Sequence, residues 1–312
     1  LRRTNMSILV FGHKNPDTDT ICSAIAYAEL KGKLGKDVKA VRLGEVNEET
    51  KFVLDYFKVE KPELIESVSG KEIMLVDHNE RTQTADGFEE AKVLELVDHH
   101  RISNFNVDEP LYVRMEPVGC TATIILKLFK ENNLLPAPTT AGLMLSAIVS
   151  DTLLFKSPTC TECDVKAGKE LAEIAGVNVE EYGLEMLKAG TALGGKSEAE
   201  LINMDMKIFE VDGSKIGVAQ VNTVNEAELL ERKEKLLVEI NNIIKKEGLK
   251  FFIFAITNIL SNDSTGIVAG DGNAIIEKAF NEKIDNNLIA LKGIVSRKKQ
   301  IIPPLTKAIQ EA

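Results

Sequence analysis

The chain has 312 residues, more than one ordinary core usually organises, so two domains are expected. Its 44% hydrophobic and 28% charged residues exclude a disordered chain. Thirty-eight Lys and Arg against 48 Asp and Glu leave a net charge of −10, which argues against a general nucleic-acid binder but leaves room for a local basic pocket around a small phosphate. No run of about eighteen apolar residues is present, so no transmembrane helix is expected. The start lacks the apolar stretch of a signal peptide, and Met6 fits a natural start with Leu1 to Asn5 ahead of it. Four cysteines without such a signal fit a reducing cytoplasm.

In chain order, Ser7 to Phe11 reads as a buried strand, Ile21 to Leu34 as a helix stopped by Gly35, Val38 to Leu43 as a strand and Glu48 to Phe57 as a helix. Ile73 to Val76 and Val93 to Val97 are two more short strands. This alternation predicts an α/β fold, a mainly parallel sheet flanked by helices. Helical spacing then covers Thr121 to Asn132, Thr139 to Val149, Glu162 to Ala175 and Val179 to Lys188. The segment 190–197, with three glycines, reads as a linker between a first domain at 6–189 and a second, smaller α/β domain at 198–312. In that second part Lys207 to Val211, Lys215 to Val221 and Phe251 to Thr257 read as strands, Glu226 to Glu247 as one long charged helix and Ala274 to Phe280 as a short one.

All four histidines fall in the first hundred residues, each close to an aspartate: His13 near Asp17 and Asp19, His78 after Asp77, and His99 and His100 after Asp98. Three predicted strands run into these motifs, and a parallel sheet gathers the carboxyl ends of its strands at one edge, where ligands bind. Asp151, closing the apolar helix that ends near Val149, adds a carboxylate that would be costly to leave uncompensated. His13, Asp17, Asp19, Asp77, His99 and Asp151 together read as metal ligands. Imidazole and carboxylate without obligatory thiolate suit Mn²⁺, Co²⁺, Fe²⁺ or catalytic Zn²⁺, and the ligand count suits two ions that share a carboxylate and activate one water. His78 is expected to point away from the site that Asp77 enters, and Asp98 to orient an imidazole.

The remaining signals are weaker. Cys160 and Cys163 have C-x₂-C spacing without the second pair a zinc ribbon needs, and Cys22 and Cys120 read as small core residues. Gly270-Asp271-Gly272 reads as a turn, and Arg297-Lys298-Lys299 alone would be a solvated basic run.

Asp98-His99-His100 resembles the signature of the DHH phosphoesterase superfamily. Gly12 to Thr20, Val76 to Glu80, Glu116 to Cys120 and Ser296 to Gln300 resemble, more closely, family II inorganic pyrophosphatases, from about Met6 through the DHH domain and the following DHHA2 domain. The resemblance implies hydrolysis of pyrophosphate to two phosphates at two Mn²⁺ or Co²⁺ ions, with Mg²⁺ accompanying the substrate. Carried over by position, one ion falls to His13, Asp17 and Asp77 and the other to Asp19, Asp77, His99 and Asp151, with Asp77 bridging. His100 would face the phosphates, while Arg297, Lys298 and Lys207 would grip them from the second domain, which implies closure around substrate. A homodimer through the first domain is implied as well. The short segment from Ser67 to Glu72 leaves no room for the nucleotide-sensing insert some members carry. The competing readings are a DHH exopolyphosphatase or nucleotide phosphoesterase, disfavoured by the absence of histidine from the second half, and a non-catalytic phosphate sensor, which would be expected to have lost a ligand.

Overall fold

A computed structural model describes residues 7–191, 193 and 195–311, with backbone only at Lys298 and Lys299. The described chain divides into two compact units, one ending at Gly190 and the other beginning at Thr191.

The first unit opens with the expected alternation: β1 (Ile8–Phe11), α1 (Thr18–Lys33), β2 (Val38–Arg42), α2 (Glu48–Phe57), β3 (Glu63–Leu64), β4 (Glu72–Val76), β5 (Lys92–Asp98) and β6 (Tyr112–Met115). Four helices follow: α3 (Thr121–Glu131), α4 (Pro138–Thr152), α5 (Glu162–Ala175) and α6 (Val179–Gly190). The strands form one sheet in the order β3-β2-β1-β4-β5-β6, and every pairing is parallel. β1 has β2 on one side and β4 on the other, so the connections leaving it diverge and open a crevice at the carboxyl ends of β1 and β4. Alternate strand residues point to opposite faces: Leu9, Phe11, Ile73, Leu75 and Leu96 join one apolar cluster, while Val10, Met74, Val76 and Val97 are buried on the other side. α4 is apolar nearly all round, with Leu143, Met144, Leu145, Ile148 and Val149 fully buried. It packs against α1 and α5, an interior helix rather than an amphipathic surface one.

The second unit contains α7 (Glu198–Asn203), β7 (Met206–Val211), β8 (Ser214–Thr223), α8 (Glu226–Leu230), α9 (Lys233–Glu247), β9 (Phe251–Asn258), β10 (Asp263–Gly270), α10 (Asn273–Phe280) and β11 (Leu288–Leu291). A wide helical turn, Arg297–Ile301, then leads into α11 (Ile302–Gln310). Its five strands run β11-β10-β9-β8-β7, antiparallel except for the β8–β9 pair. β9 is buried on both faces, which is why it reads as an unbroken apolar run. Phe252, Phe254 and Ile256 pack with α7, α8 and α9, and Phe251, Ile253 and Ala255 with α10 and α11.

One sequence reading is corrected. The helix expected over Glu226 to Glu247 is two helices broken at Glu231–Arg232, where the Arg232 guanidinium turns back to Glu198 and the Lys196 carbonyl. The segment expected as linker is structured at both ends: Gly190 closes α6, and Ser197 caps α7 in a reciprocal box with Glu200. No described helix is long and apolar enough to cross a membrane.

Because Phe254 is fully buried at the centre of its cluster, Phe254→Ala should lower the unfolding free energy of the second unit by about 3–5 kcal/mol. Denaturant titration followed by a probe in that unit measures this directly.

Candidate active site

The diverging connections at β1 and β4 gather the polar motifs. His13 lies two residues beyond β1, Asp77 follows β4 directly, and Asp98, His99 and His100 run off the end of β5. Asp17 is the N-cap of α1, its carboxylate accepting the Thr20 amide at 2.9 Å. Asp19 sits in the first turn of α1 and Asp151 in the last turn of α4.

The Asp77 carboxylate is the hub. Its Oδ2 lies 3.5 Å from His13 Nε2 and its Oδ1 3.5 Å from His99 Nε2. The two oxygens of one buried carboxylate thus face two different imidazoles. His13 Nε2 is also 3.3 Å from Asp17, and His99 Nε2 3.8 Å from Asp151. His13, Asp17 and Asp77 offer three ligand atoms within 4.8 Å of one another, as do Asp77, His99 and His100, and Asp19, Cys120 and Asp151. Asp77 takes left-handed backbone at φ 59°. This conformation is uncommon for a residue with a side chain and is a form of local strain associated with functional sites.

Hydrogen bonds fix the Asp77 and Asp19 carboxylates from behind. Thr20 and Thr121 hydroxyls donate to the two Asp77 oxygens at 2.7 and 3.2 Å. Asp19, fully buried, accepts the Ser23 hydroxyl at 2.5 Å and the Thr121 and Ala122 amides at 2.8 and 3.3 Å. Those two amides open α3, so Asp19 caps a helix a hundred residues away and meets its positive end. His99 Nδ1 donates to the Val118 carbonyl at 3.0 Å, which leaves Nε2 facing the carboxylates. His100 Nδ1 donates to Asp98 at 2.9 Å, and Asn79 donates to the other Asp98 oxygen at 2.6 Å, so the half-exposed His100 ring is held with Nε2 outward. His78 turns away, donating to the Val76 carbonyl at 2.9 Å beside Phe11.

Crowding of like charges sets the electrostatics. Burial, then the Asp77 charge, push the Asp19 carboxyl up to about 7. Burial and the Asp19 charge raise Asp151. Asp77 moves the other way: burial opposes its ionisation, but the bonds and charges of His13 and His99 outweigh that and lower it. Burial likewise works against the two imidazolium ions, yet their aspartate partners push His13 up to about 10 and His99 up to about 9. The hydrogen bond to Asp98 raises His100, and burial lowers His78. In the chain by itself, then, protons supply the positive charge this cluster demands. Divalent cations fit the same demand: the donors are imidazole nitrogens and carboxylate oxygens, while burial and the Asp19 charge hold the Cys120 thiol well above its usual range.

The second unit places Lys207 and Arg297 on one sheet face. Lys207 is exposed on β7, on the face that Phe209 and Val211 share with the α11 cluster. The Arg297 guanidinium lies 2.8 Å from the Asp205 carboxylate, and its backbone amide donates to Gln220 Oε1 at 3.0 Å. Gln220 Nε2 donates to Thr257 and to the Val295 carbonyl, and Gln300 accepts the Val295 and Ser296 amides. The Lys298 side chain lies outside the described residues.

Several residues contribute without having signalled themselves in the sequence. Thr20 ends one recognised motif and Thr121 follows another, neither singled out as a contact. Glu49 on α2 carries no local signal, yet one of its oxygens accepts the Thr18 hydroxyl at 2.6 Å and the Ser150 hydroxyl at 2.5 Å, tying the helix ends that bear Asp19 and Asp151.

A parallel sheet with diverging connections, crowned by aspartates and histidines, defines a hydrolase-type metal site on a DHH-like scaffold. The DHH family N-terminal domain matches residues 7–148, and the DHHA2 domain residues 184–308. A probable manganese-dependent inorganic pyrophosphatase of an Exiguobacterium species is 59% identical over 97% of this chain and 98% of its own length. One from Bacillus cereus is 55% identical over 97% and 99%. The crystal structure of a Methanococcus jannaschii protein assigned to the family II inorganic pyrophosphatases superposes with a TM-score of 0.65 at 43% identity, covering 98% of this chain and all of that one. The chain belongs to the family II, manganese-dependent inorganic pyrophosphatases.

Were these residues to hold divalent cations, binding would displace protons. His13 and His99, raised to about 10 and 9, would have to become neutral to ligate, and Asp19 would have to ionise. Without metal, raised His and Asp values contribute stability that is present at low pH and fades as pH climbs through the folded-state values. The gap in melting temperature between Mn²⁺-loaded and chelator-treated protein should therefore widen from about pH 6 to about pH 8.5. Calorimetry in buffers of different ionisation enthalpy should register proton release as Mn²⁺ binds.

Proposed function

We propose that the protein hydrolyses inorganic pyrophosphate to two phosphates at a two-metal centre. The observation that carries this reading is the Asp77 carboxylate facing His13 with one oxygen and His99 with the other. His13, Asp17 and Asp77 hold one Mn²⁺ or Co²⁺. Asp19, Asp77, His99 and Asp151 hold the second, and Mg²⁺ accompanies the substrate. The names of the relatives support manganese and pyrophosphate.

Metals held there would supply Lewis acidity toward the phosphate oxygens and a lowered pKa for bound water. The chain's own groups do the rest. Asp98 holds His100 with Nε2 outward, where it binds a phosphate oxygen and can hold a proton. Thr20, Thr121 and the first amides of α3 keep the ligand carboxylates from moving as charge builds. Arg297, Lys298 and Lys207 bind the phosphate oxygens, Arg297 through a forked contact and the lysines as point charges. The reading also carries a cytoplasmic homodimer that binds neither nucleic acid nor membrane. The acidic balance of the chain supports the first exclusion.

A phosphate-release assay with Mn²⁺ should show pyrophosphate turned over well ahead of tripolyphosphate, long-chain polyphosphate and a short oligonucleotide. Equal or better turnover of polyphosphate overturns the choice of substrate. Asp77→Ala should abolish activity and release metal, since its carboxylate serves both ions; two metals retained in that variant would refute the bridging role. Arg297→Ala should lower kcat/KM by about 100-fold or more with both metals kept. Metal loss in that variant counts against separate roles for the metal ligands and the cations.

A further inference from the structure

The segment from Val118 to Thr123 touches three of the proposed ligands. The Val118 carbonyl takes the His99 Nδ1 proton, the Thr121 and Ala122 amides cap Asp19, and the Thr121 hydroxyl reaches Asp77. None of these residues is itself a ligand in the reading above, and the segment has to be held still for those contacts to last. One side chain holds it near both ends. Asp164, in the first turn of α5, is fully buried. Its Oδ2 accepts the Gly119 amide at 2.9 Å, and its Oδ1 accepts the Thr123 hydroxyl at 2.7 Å. The same carboxylate is anchored in its own helix by the Thr161 amide and hydroxyl, each at 2.7 Å.

Gly119 fits this arrangement closely. A Cβ there would come within 2.9 Å of both Asp164 Oδ2 and the Thr152 methyl, and Thr152 follows Asp151. The segment is therefore wedged between α5 and the end of α4, with no space for a side chain at its tightest point.

The geometry points to Asp164 as a positioning residue of the metal centre, setting the tautomer and aim of His99 and the placement of Asp19 and Asp77 through the Val118–Thr123 segment. This rests on the two-metal reading and names a residue from outside every ligand motif. The role is geometric: an oxygen must stand where Oδ2 stands and a hydrogen-bonding group where Oδ1 stands. Asparagine can meet both needs, its oxygen accepting the Gly119 and Thr161 donors and its amide donating to the Thr123 hydroxyl. Alanine meets neither.

Mn²⁺ binding to the whole protein, measured by calorimetry without substrate, tests this apart from activity. Wild type taking up two Mn²⁺ upholds the underlying reading, and failure to bind Mn²⁺ overturns that reading. Asp164→Ala should weaken Mn²⁺ affinity by about 10–100-fold, Gly119→Ala should weaken it in the same direction, and Asp164→Asn should restore it to within a few-fold of wild type. Leu171→Ala, in the fully buried face of α5, serves as the control for loss of stability alone, with melting temperatures recorded for every variant. If Asp164→Ala weakens Mn²⁺ no more than Leu171→Ala does, Asp164 is only a helix cap and the inference fails. If asparagine is as damaging as alanine, charge and not position is at work, and the inference fails in that way. Gly119→Ala reads the same segment from its other side should Asp164→Ala not fold.

Discussion

One shared carboxylate governs the first unit. Asp77 is nearly inaccessible and carries its charge between two imidazoles, with a threonine hydroxyl on each oxygen. Burying a lone carboxylate costs several kcal/mol, so this arrangement persists only because cationic or donor groups surround it. The other aspartates make the constraint harsher. Asp19 and Asp151 are driven toward their neutral forms by burial and by neighbouring negative charge, so the cluster is frustrated until cations enter it. Protons meet that demand in the chain by itself, and in the proposed function divalent cations would meet it instead.

Backbone geometry turns this constraint into a fold-level requirement. The parallel sheet supplies His13, Asp77 and His99 from three strand ends, and its diverging connections leave the crevice open there. Asp151 comes from the last turn of an interior helix, and the capping of Asp19 comes from the start of another. The candidate ligands are spread over the ends of β1, β4 and β5 and over α1 and α4, so precision depends on ties between elements. Glu49 ties α2 to the ends of α1 and α4, and Asp164 ties α5 to the entry of α3. Such ties act through hydrogen bonds to buried groups, where a lost partner leaves an unsatisfied donor and costs more than the bond contributes.

What was legible in the sequence follows from where the information lies. Strands and helices with a clean period emerged with boundaries close to those observed, and β9 announced itself as a continuous apolar run. β10 did not, because Asp263, Ser264, Thr265 and Gly266 give its first half the look of a loop; pairing with β9 and β11 makes it a strand. α11 opens on Ile302-Pro303-Pro304, and prolines that suit a first helical turn also read as breakers. The break between α8 and α9 lies in a stretch whose apolar spacing continues across it, and tertiary bonds from Arg232 mark the interruption. Histidines and aspartates of the site stood out because their chemistry is scarce and clustered. Asp164 and Glu49 did not, since an acidic residue near a helix start has an ordinary local explanation and the partners that matter here lie 31 to 101 residues away.

The second unit solves a related problem with opposite charge. In the proposed function Arg297 grips phosphate, and a guanidinium with that role would have to be aimed before the ligand arrives, yet not be satisfied so well that phosphate could not displace its partner. Arg297 meets both conditions. Its backbone is fixed through Gln220, which also holds Val295 and Thr257, while its side chain rests on the half-exposed carboxylate of Asp205. An ion pair of that exposure is worth about 1 kcal/mol or less, whereas two forked charge-assisted bonds to a phosphate are roughly twice as strong each as neutral ones. On that proposal the exchange would favour phosphate, with Asp205 holding the guanidinium until then. In this unit, as in the cluster around Asp77, many weak bonds set the positions, and the proposed ligands would complete the charge balance.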